Sequence, residues 1–153
     1  MTSPLPALPG AGGTYALGLA LAGEVQVTVG ALGQGTFPPG LYLYVGSAWG
    51  PGGLAARVGR HLRGDGKPRW HIDALRRRAT PVALWIAPGE RLECAWARTL
   101  VDRPGVRIAM PRFGASDCRC PSHLFQIEPE ALATLSFPGS SVFSLRNDDG
   151  LWR

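Results

Sequence analysis

Val25, Val27 and Val29 alternate with Gln26 and Thr28, the period-two pattern of a strand with one buried face. A strand over Thr14–Ala22 precedes it, joined by a tight turn at Gly23-Glu24. A third strand is expected at 41–48 (LYLYVGSA), with Tyr42 and Tyr44 on one face and Leu41, Leu43 and Val45 on the other. The intervening GALGQGTFPPG (30–40) reads as loop, so the pattern predicts an antiparallel three-stranded sheet.

The period then changes. GPGG (50–53) opens a helix from Leu54 to Arg63, whose buried stripe is Leu54, Val58 and Leu62 and which stops at Gly64-Asp65-Gly66. WHIDALRRRA (70–79) predicts a shorter helix, VALWIA (82–87) a strand, and Glu90 to Asp102 a third helix. That helix's core face is expected to be Leu92, Ala95, Trp96, Thr99 and Leu100. Val106–Met110 and HLFQI (123–127) are short extended pieces flanking a polar loop, and Glu128–Leu135 is a further candidate helix. No element is assigned to 136–153. The fold class is α+β: a small three-stranded antiparallel sheet flanked by helices.

A chain of 153 residues, 45% hydrophobic, fits one folded domain with its own core. The division expected is a flexible lead at 1–11, a domain at 12–127 that includes the loop 111–123, and an extension at 128–153. The lead lacks the charged and apolar regions of a signal peptide. No apolar run approaches the ~20 residues of a membrane span. Three cysteines, an odd number, argue for a reducing cytoplasm over a disulfide framework.

Charge narrows the partner. The net charge is +5, and Arg60, Arg63, Lys67 and Arg69 cluster beside His71, with Arg76, Arg77 and Arg78 following. This is the footprint of a nucleic-acid binder, and equally of a solvated Arg-rich surface. No obligate protein partner is indicated.

Several residues could carry chemistry. Tyr15 and Tyr44 each lie beside a glycine on strands expected to be neighbours, where a phenol pair can hold a water and a phosphate. Arg57 and His61 are four apart and share a helix face. A guanidinium there offers a fork for phosphate oxygens, and the imidazole can orient a nucleophile or carry a proton. Packing is the competing role for both. Glu93, at the edge of an apolar face, is a candidate ligand for a hard divalent cation, since Mg²⁺ needs only one or two carboxylates.

The order of these signals resembles the GIY-YIG nuclease superfamily. The matching stretches are GTY (13–15), YVG (44–46), LAARVGRHL (54–62) and LECAW (92–96). YVGSAWGPGGLAARVGRHLR (44–63), WHID (70–73) and DCRCPSHLF (117–125) are similar to its small stand-alone branch, often labelled Uri-type endonucleases. The resemblance implies a three-stranded sheet with flanking helices and one-metal cleavage of a nucleic-acid backbone, DNA more than RNA, with Mg²⁺ or Mn²⁺. By the same resemblance Tyr15 sits near the attacking water and Tyr44 acts in proton abstraction. Arg57 stabilises the scissile phosphate, His61 lies near the nucleophile and Glu93 binds the metal. Thr14 stands where the pattern has a branched aliphatic residue, and Ser47 where several relatives have lysine. The alternative function is a non-catalytic nucleic-acid-binding module that retains the fold.

Cys118, Cys120 and His123 form C-x-C-x-x-H in one loop, and Cys94 follows Glu93. Should the loop 111–123 cover Cys94, the four would make a soft ligand set of the size zinc takes. The spacing is unlike the common C-x₂-C knuckles, so on spacing alone buried reduced cysteines and a capping histidine are favoured over Zn²⁺. Asp73 is a candidate helix cap, and Trp49 packs or stacks on a base.

Overall fold

The structure, a computed structural model, describes residues 8–64 and 71–145. Two long strands form its centre: β1 (Gly13–Leu21) and, after a hairpin of β2 (Val25–Thr28) and β3 (Gln34–Phe37), β4 (Gly40–Ala48). Then come α1 (Gly53–Arg63), α2 (His71–Arg76), β5 (Thr80–Pro88) and α3 (Glu93–Val101). The chain continues through β6 (Val106–Ile108), β7 (Leu124–Ile127), α4 (Pro129–Ala133) and β8 (Ser141–Ser144).

The sheet is wider than the hydrophobic pattern predicts. Six strands pair antiparallel in the order β6-β7-β4-β1-β5-β8, and β2-β3 form a separate two-stranded sheet. The expected three-stranded sheet is therefore corrected. Val25–Thr28 alternates as expected, but it pairs with Gln34–Phe37, placing Val25 opposite Phe37. Those partner residues lie in the stretch read as loop. One edge of β1 is then left for β5, with Tyr15 opposite Ile86 and Leu17 opposite Leu84. The other edge takes β4.

Both faces of the sheet are covered, which explains why β1 and β4 are apolar throughout. On one face Tyr15, Leu17, Leu19, Tyr42 and Tyr44 pack with Leu54 and Val58 of α1, Ile72 and Leu75 of α2, and Phe37 of the hairpin. On the other, Ala16, Leu43, Val45, Trp85 and Phe125 pack with Trp96 and Leu100 of α3 and with Phe137, which stacks on Trp96 at 4.3 Å. Tyr15 and Tyr44 thus project towards α1.

The α1 stripe is as the spacing predicts, and the helix ends at Gly64 with φ 71°, a left-handed C-cap that favours glycine. In α3 the buried residues are Trp96, Ala97 and Leu100, while Ala95 and Thr99 are exposed. Ala97 thus takes the buried place expected of Ala95 and Thr99, and Leu92, which precedes the helix, is half-buried. Among the described residues, no helix is long and apolar enough to cross a membrane.

Candidate active site and metal centre

Each tyrosine–glycine pair has a steric reason. Tyr15 lies opposite Gly46 across the β1–β4 ladder. A Cβ on Gly46 would come within 2.7 Å of the Tyr15 hydroxyl and 2.9 Å of the Tyr44 ring, so only glycine leaves room for both phenols over that point of β4. The ring centroids are 6.2 Å apart. A Cβ on Gly13 would meet the Ala87 carbonyl at 2.6 Å, so that glycine admits β5.

Behind the tyrosines sits His61, 1% exposed, whose Nε2 is 2.7 Å from the Tyr15 hydroxyl. Burial lowers its pKa to about 4, with Arg57, Arg60 and Arg76 pushing the same way against Asp73. The imidazole is therefore neutral near pH 7. Burial likewise raises Tyr15 and Tyr44 well above the ordinary phenol value, Tyr44 next by the Glu93 charge, while Arg57 lowers both.

A chain of short contacts joins the remaining residues. Arg57 Nη1 donates to the Ser47 carbonyl at 2.7 Å, and Ser47 Oγ donates to Glu93 Oε1 at 3.1 Å. Ser47 thus links the guanidinium to the carboxylate. Thr14, fully buried, fixes where α3 starts: its hydroxyl donates to the Glu90 carbonyl at 2.7 Å and accepts Leu92 N–H at 2.8 Å. Glu93 is the next residue.

The other carboxylate oxygen, Oε2, lies 2.9 Å from His123 Nδ1. A carboxylate oxygen accepts, so this contact is a hydrogen bond only in the forms of the ring that carry a proton on Nδ1. His123 Nε2 faces Cys118 Sγ at 3.5 Å. Cys94, Cys118, Cys120 and His123 bring one ligand atom each to within 4.8 Å of one another, so the four could hold a metal ion. Covering of Cys94 by the loop 111–123 is realised. Burial raises the Cys94 and Cys120 thiols, Cys120 to about 12. At Cys118 burial is outweighed by hydrogen bonds from Cys120 and by the His123 charge, which lower it. His123 is raised, because its hydrogen bond to Glu93 and the Glu93 charge outweigh burial.

Arg112, which sequence analysis did not single out, staples this loop. Its guanidinium donates to the carbonyls of Cys120 at 2.7 Å, Ala115 at 2.5 Å and Cys118 at 2.8 Å. Its backbone has φ 65°, among the described residues the one non-glycine with positive φ. A left-handed arginine leaves no periodic signature in a polar loop.

Tyr44, Ser47, Trp49, Arg57, Glu93 and His123 line one cavity of about 500 Å³, as do Cys94, Asp117 and Cys118. Tyr15 and His61 stand behind Tyr44. Of the predicted nucleic-acid contacts, Arg60 pairs with Asp73 at 3.3 Å, Arg63 is exposed, and His71 lines the cavity while its Nδ1 accepts Gly114 N–H at 3.0 Å. Lys67 and Arg69 lie outside the described residues.

The model of one protein family, described as domain of unknown function DUF123, matches residues 14–137. The chain belongs to the DUF123 family. No curated protein and no solved structure matches it. Tyr15, Tyr44, Arg57, His61, Glu93 and all four Cys/His ligands fall inside the DUF123 match. So do Thr14 and Arg112, the two residues that hold α3 and the cysteine loop in place.

Proposed function

We propose that the protein is a divalent-metal-dependent endonuclease that hydrolyses phosphodiester bonds in nucleic acid, DNA more than RNA. The observation that carries this reading is that Tyr44, Arg57 and Glu93 face one cavity, with the Tyr15–His61 pair directly behind Tyr44. These are the residues picked out by the resemblance to GIY-YIG nucleases.

The chemistry of each group fits. Glu93, whose side chain is 28% exposed, lines the same cavity as Asp117, and one or two carboxylates are what Mg²⁺ or Mn²⁺ takes from protein. Bound there, the cation supplies positive charge for a phosphate in the cavity and offsets the Glu93 charge that raises Tyr44. Arg57, oriented through Nη1 by the Ser47 carbonyl, places a fixed charge where a phosphoryl oxygen gains negative charge. Neutral His61 accepts the hydrogen bond of the Tyr15 hydroxyl at Nε2, which orients that phenol so that its oxygen can accept from a neighbour.

The second metal in this reading is Zn²⁺ at Cys94, Cys118, Cys120 and His123. Three thiols and an imidazole are a soft, tetrahedral donor set. With Zn–S bonds of ~2.3 Å the edges of such a tetrahedron are about 3.8 Å, so the four atoms need close by only about an ångström from their present spread. Convergence of all four ligands favours zinc over the simple packing of reduced cysteines.

Cleavage of single-stranded, duplex and branched DNA and RNA with Mg²⁺ or Mn²⁺ tests the reading. Glu93→Ala and Arg57→Ala are each expected to reduce turnover by at least ~100-fold with folding intact. Turnover that survives both substitutions overturns the site. Salt-sensitive binding without cleavage on every substrate favours the non-catalytic binding module instead.

A further inference from the structure

His123 touches both halves of the cavity. Nδ1 lies 2.9 Å from Glu93 Oε2, and Nε2 lies 3.5 Å from Cys118 Sγ. The ring is 1% exposed, and Cys94 is covalently next to Glu93 at the start of α3. The two sites are therefore joined twice, through an imidazole and through the Glu93–Cys94 peptide bond.

We propose that the cysteine–histidine cluster is a positioning device for Glu93: a soft metal ion held by Cys94, Cys118, Cys120 and His123 Nε2 locks the carboxylate in the orientation the hard cation needs. This rests on the zinc and nuclease readings above.

The imidazole tautomer is what couples the two sites. A neutral imidazole without a metal carries its proton on either nitrogen. With the proton on Nε2, the Nδ1 lone pair faces a carboxylate oxygen, and the contact becomes repulsive. A metal on Nε2 excludes that form, so Nδ1–H donates to Oε2 in every molecule. Oε1 is meanwhile held by Ser47 Oγ, whose carbonyl holds Arg57. Fixing Oε2 therefore completes a frame running from the thiols through His123, Glu93 and Ser47 to the guanidinium. The arrangement is a carboxylate–histidine–metal triad in which the outer carboxylate is itself the ligand of a second site.

Linkage makes the device testable without cleavage. If the metal orients Glu93, Glu93 must strengthen the metal. Zn²⁺ affinity of the full chain is measured by competition with a chromophoric chelator, under reductant and without nucleic acid. Glu93→Ala is expected to weaken Zn²⁺ by ~10–100-fold, and Glu93→Gln by less, because its amide oxygen still accepts from Nδ1. Zn²⁺ bound equally tightly by wild type and both variants, or no stoichiometric Zn²⁺ on wild type, overturns the proposal. Should Glu93→Ala fail to fold, ¹⁵N spectra of the zinc-loaded wild type decide: a protonated Nδ1 on His123 is expected, and an unprotonated Nδ1 overturns it. Failure of the nuclease reading shows in the cleavage assay and leaves the affinity ratio intact. Failure of the coupling leaves the ratio at one whatever the cleavage assay returns.

Discussion

Ser47 Oγ donates to Glu93 Oε1 at 3.1 Å across 46 positions of sequence, and the same residue's carbonyl takes Arg57 Nη1. A small hydroxyl thus stands where several members of the resembling superfamily have a lysine. It brings no charge; it orients two groups that have charge. Ser47→Ala is expected to raise the half-saturating Mg²⁺ concentration by about 10-fold, the scale of an outer-shell loss at a metal site. Maximal turnover should change less. Titration of cleavage with Mg²⁺ measures both, and an unchanged midpoint would remove Ser47 from the site.

Thr14 makes the corresponding contribution to the backbone. Its hydroxyl joins Glu90 O to Leu92 N from a fully buried position on β1. Thr14→Val keeps the shape and removes both hydrogen bonds, leaving a donor and an acceptor without the partner they had. A loss of about 1–3 kcal/mol in urea unfolding is expected. Since Glu93 follows this anchor directly, cation binding should weaken in the same variant. Wild-type stability would show that the connection holds without the hydroxyl.

Much of the site's frame was legible because its periods are local. Leu54, Val58 and Leu62 predict α1 and so place Arg57 and His61 on its inner side, and alternation in 41–48 puts Tyr44 on the face it occupies. What could not be read is what depends on non-local pairing. β5 reaches β1 only after two helices, β6 and β7 are three and four residues long, and β8 lies in a stretch with no strand pattern. Their joining β1 and β4, while β2 leaves to pair with β3, makes a sheet of six strands where three were expected. The same non-local pairing decides the cysteine cluster. β7 lies against β4, and the His123 carbonyl accepts Val45 N–H at 2.9 Å, which carries the loop onto Cys94. Spacing within C-x-C-x-x-H holds none of that.

His61 predicts an acid limit to stability. Its folded pKa, about 4, lies below the unfolded value near 6.5, so between these values the unfolded chain binds the extra proton. Stability then falls as pH drops through this window and is fully present above 6.5. The groups facing His61 are Asp73, which opposes the shift, and Arg57, Arg60 and Arg76, which favour it. The full effect is about 3 kcal/mol. Urea unfolding at pH 7, 5.5 and 4.5 for wild type and His61→Gln checks this. The variant should be less stable at pH 7 and flatter below it, and parallel profiles would exclude His61 as the cause.

Arg112 is expected to matter for metal binding without touching the metal. Its guanidinium spans the carbonyls of Ala115, Cys118 and Cys120, a planar fork that a lysine ammonium cannot reproduce. Arg112→Lys keeps the charge and loses the span. Zn²⁺ affinity should fall by about 10-fold, as for other outer-shell partners. Chelator competition reads this directly, and an affinity equal to wild type would show that the backbone alone shapes the loop.

Trp49 offers a test of how nucleic acid is held. It is 39% exposed at the cavity rim, and Arg91 lies over its ring at 4.0 Å. Gly12 backs the ring so closely that a Cβ there would sit 2.4 Å from it, so the indole cannot retreat into the core. Under the proposed function, an indole fixed in this way would serve as a stacking platform, and the guanidinium beside it would add a phosphate contact. Trp49→Ala should weaken single-stranded oligonucleotide binding by about 1–3 kcal/mol at constant salt. Arg91→Ala should weaken it less and reduce the slope of log affinity against log salt by about one contact. Because the two side chains touch, their double variant should cost less than the sum of the singles. Fluorescence anisotropy at three salt concentrations measures all of these. Unchanged binding in Trp49→Ala, with an unchanged salt slope in Arg91→Ala, would mean that Trp49 only packs, and that the strand runs along another wall of the cavity.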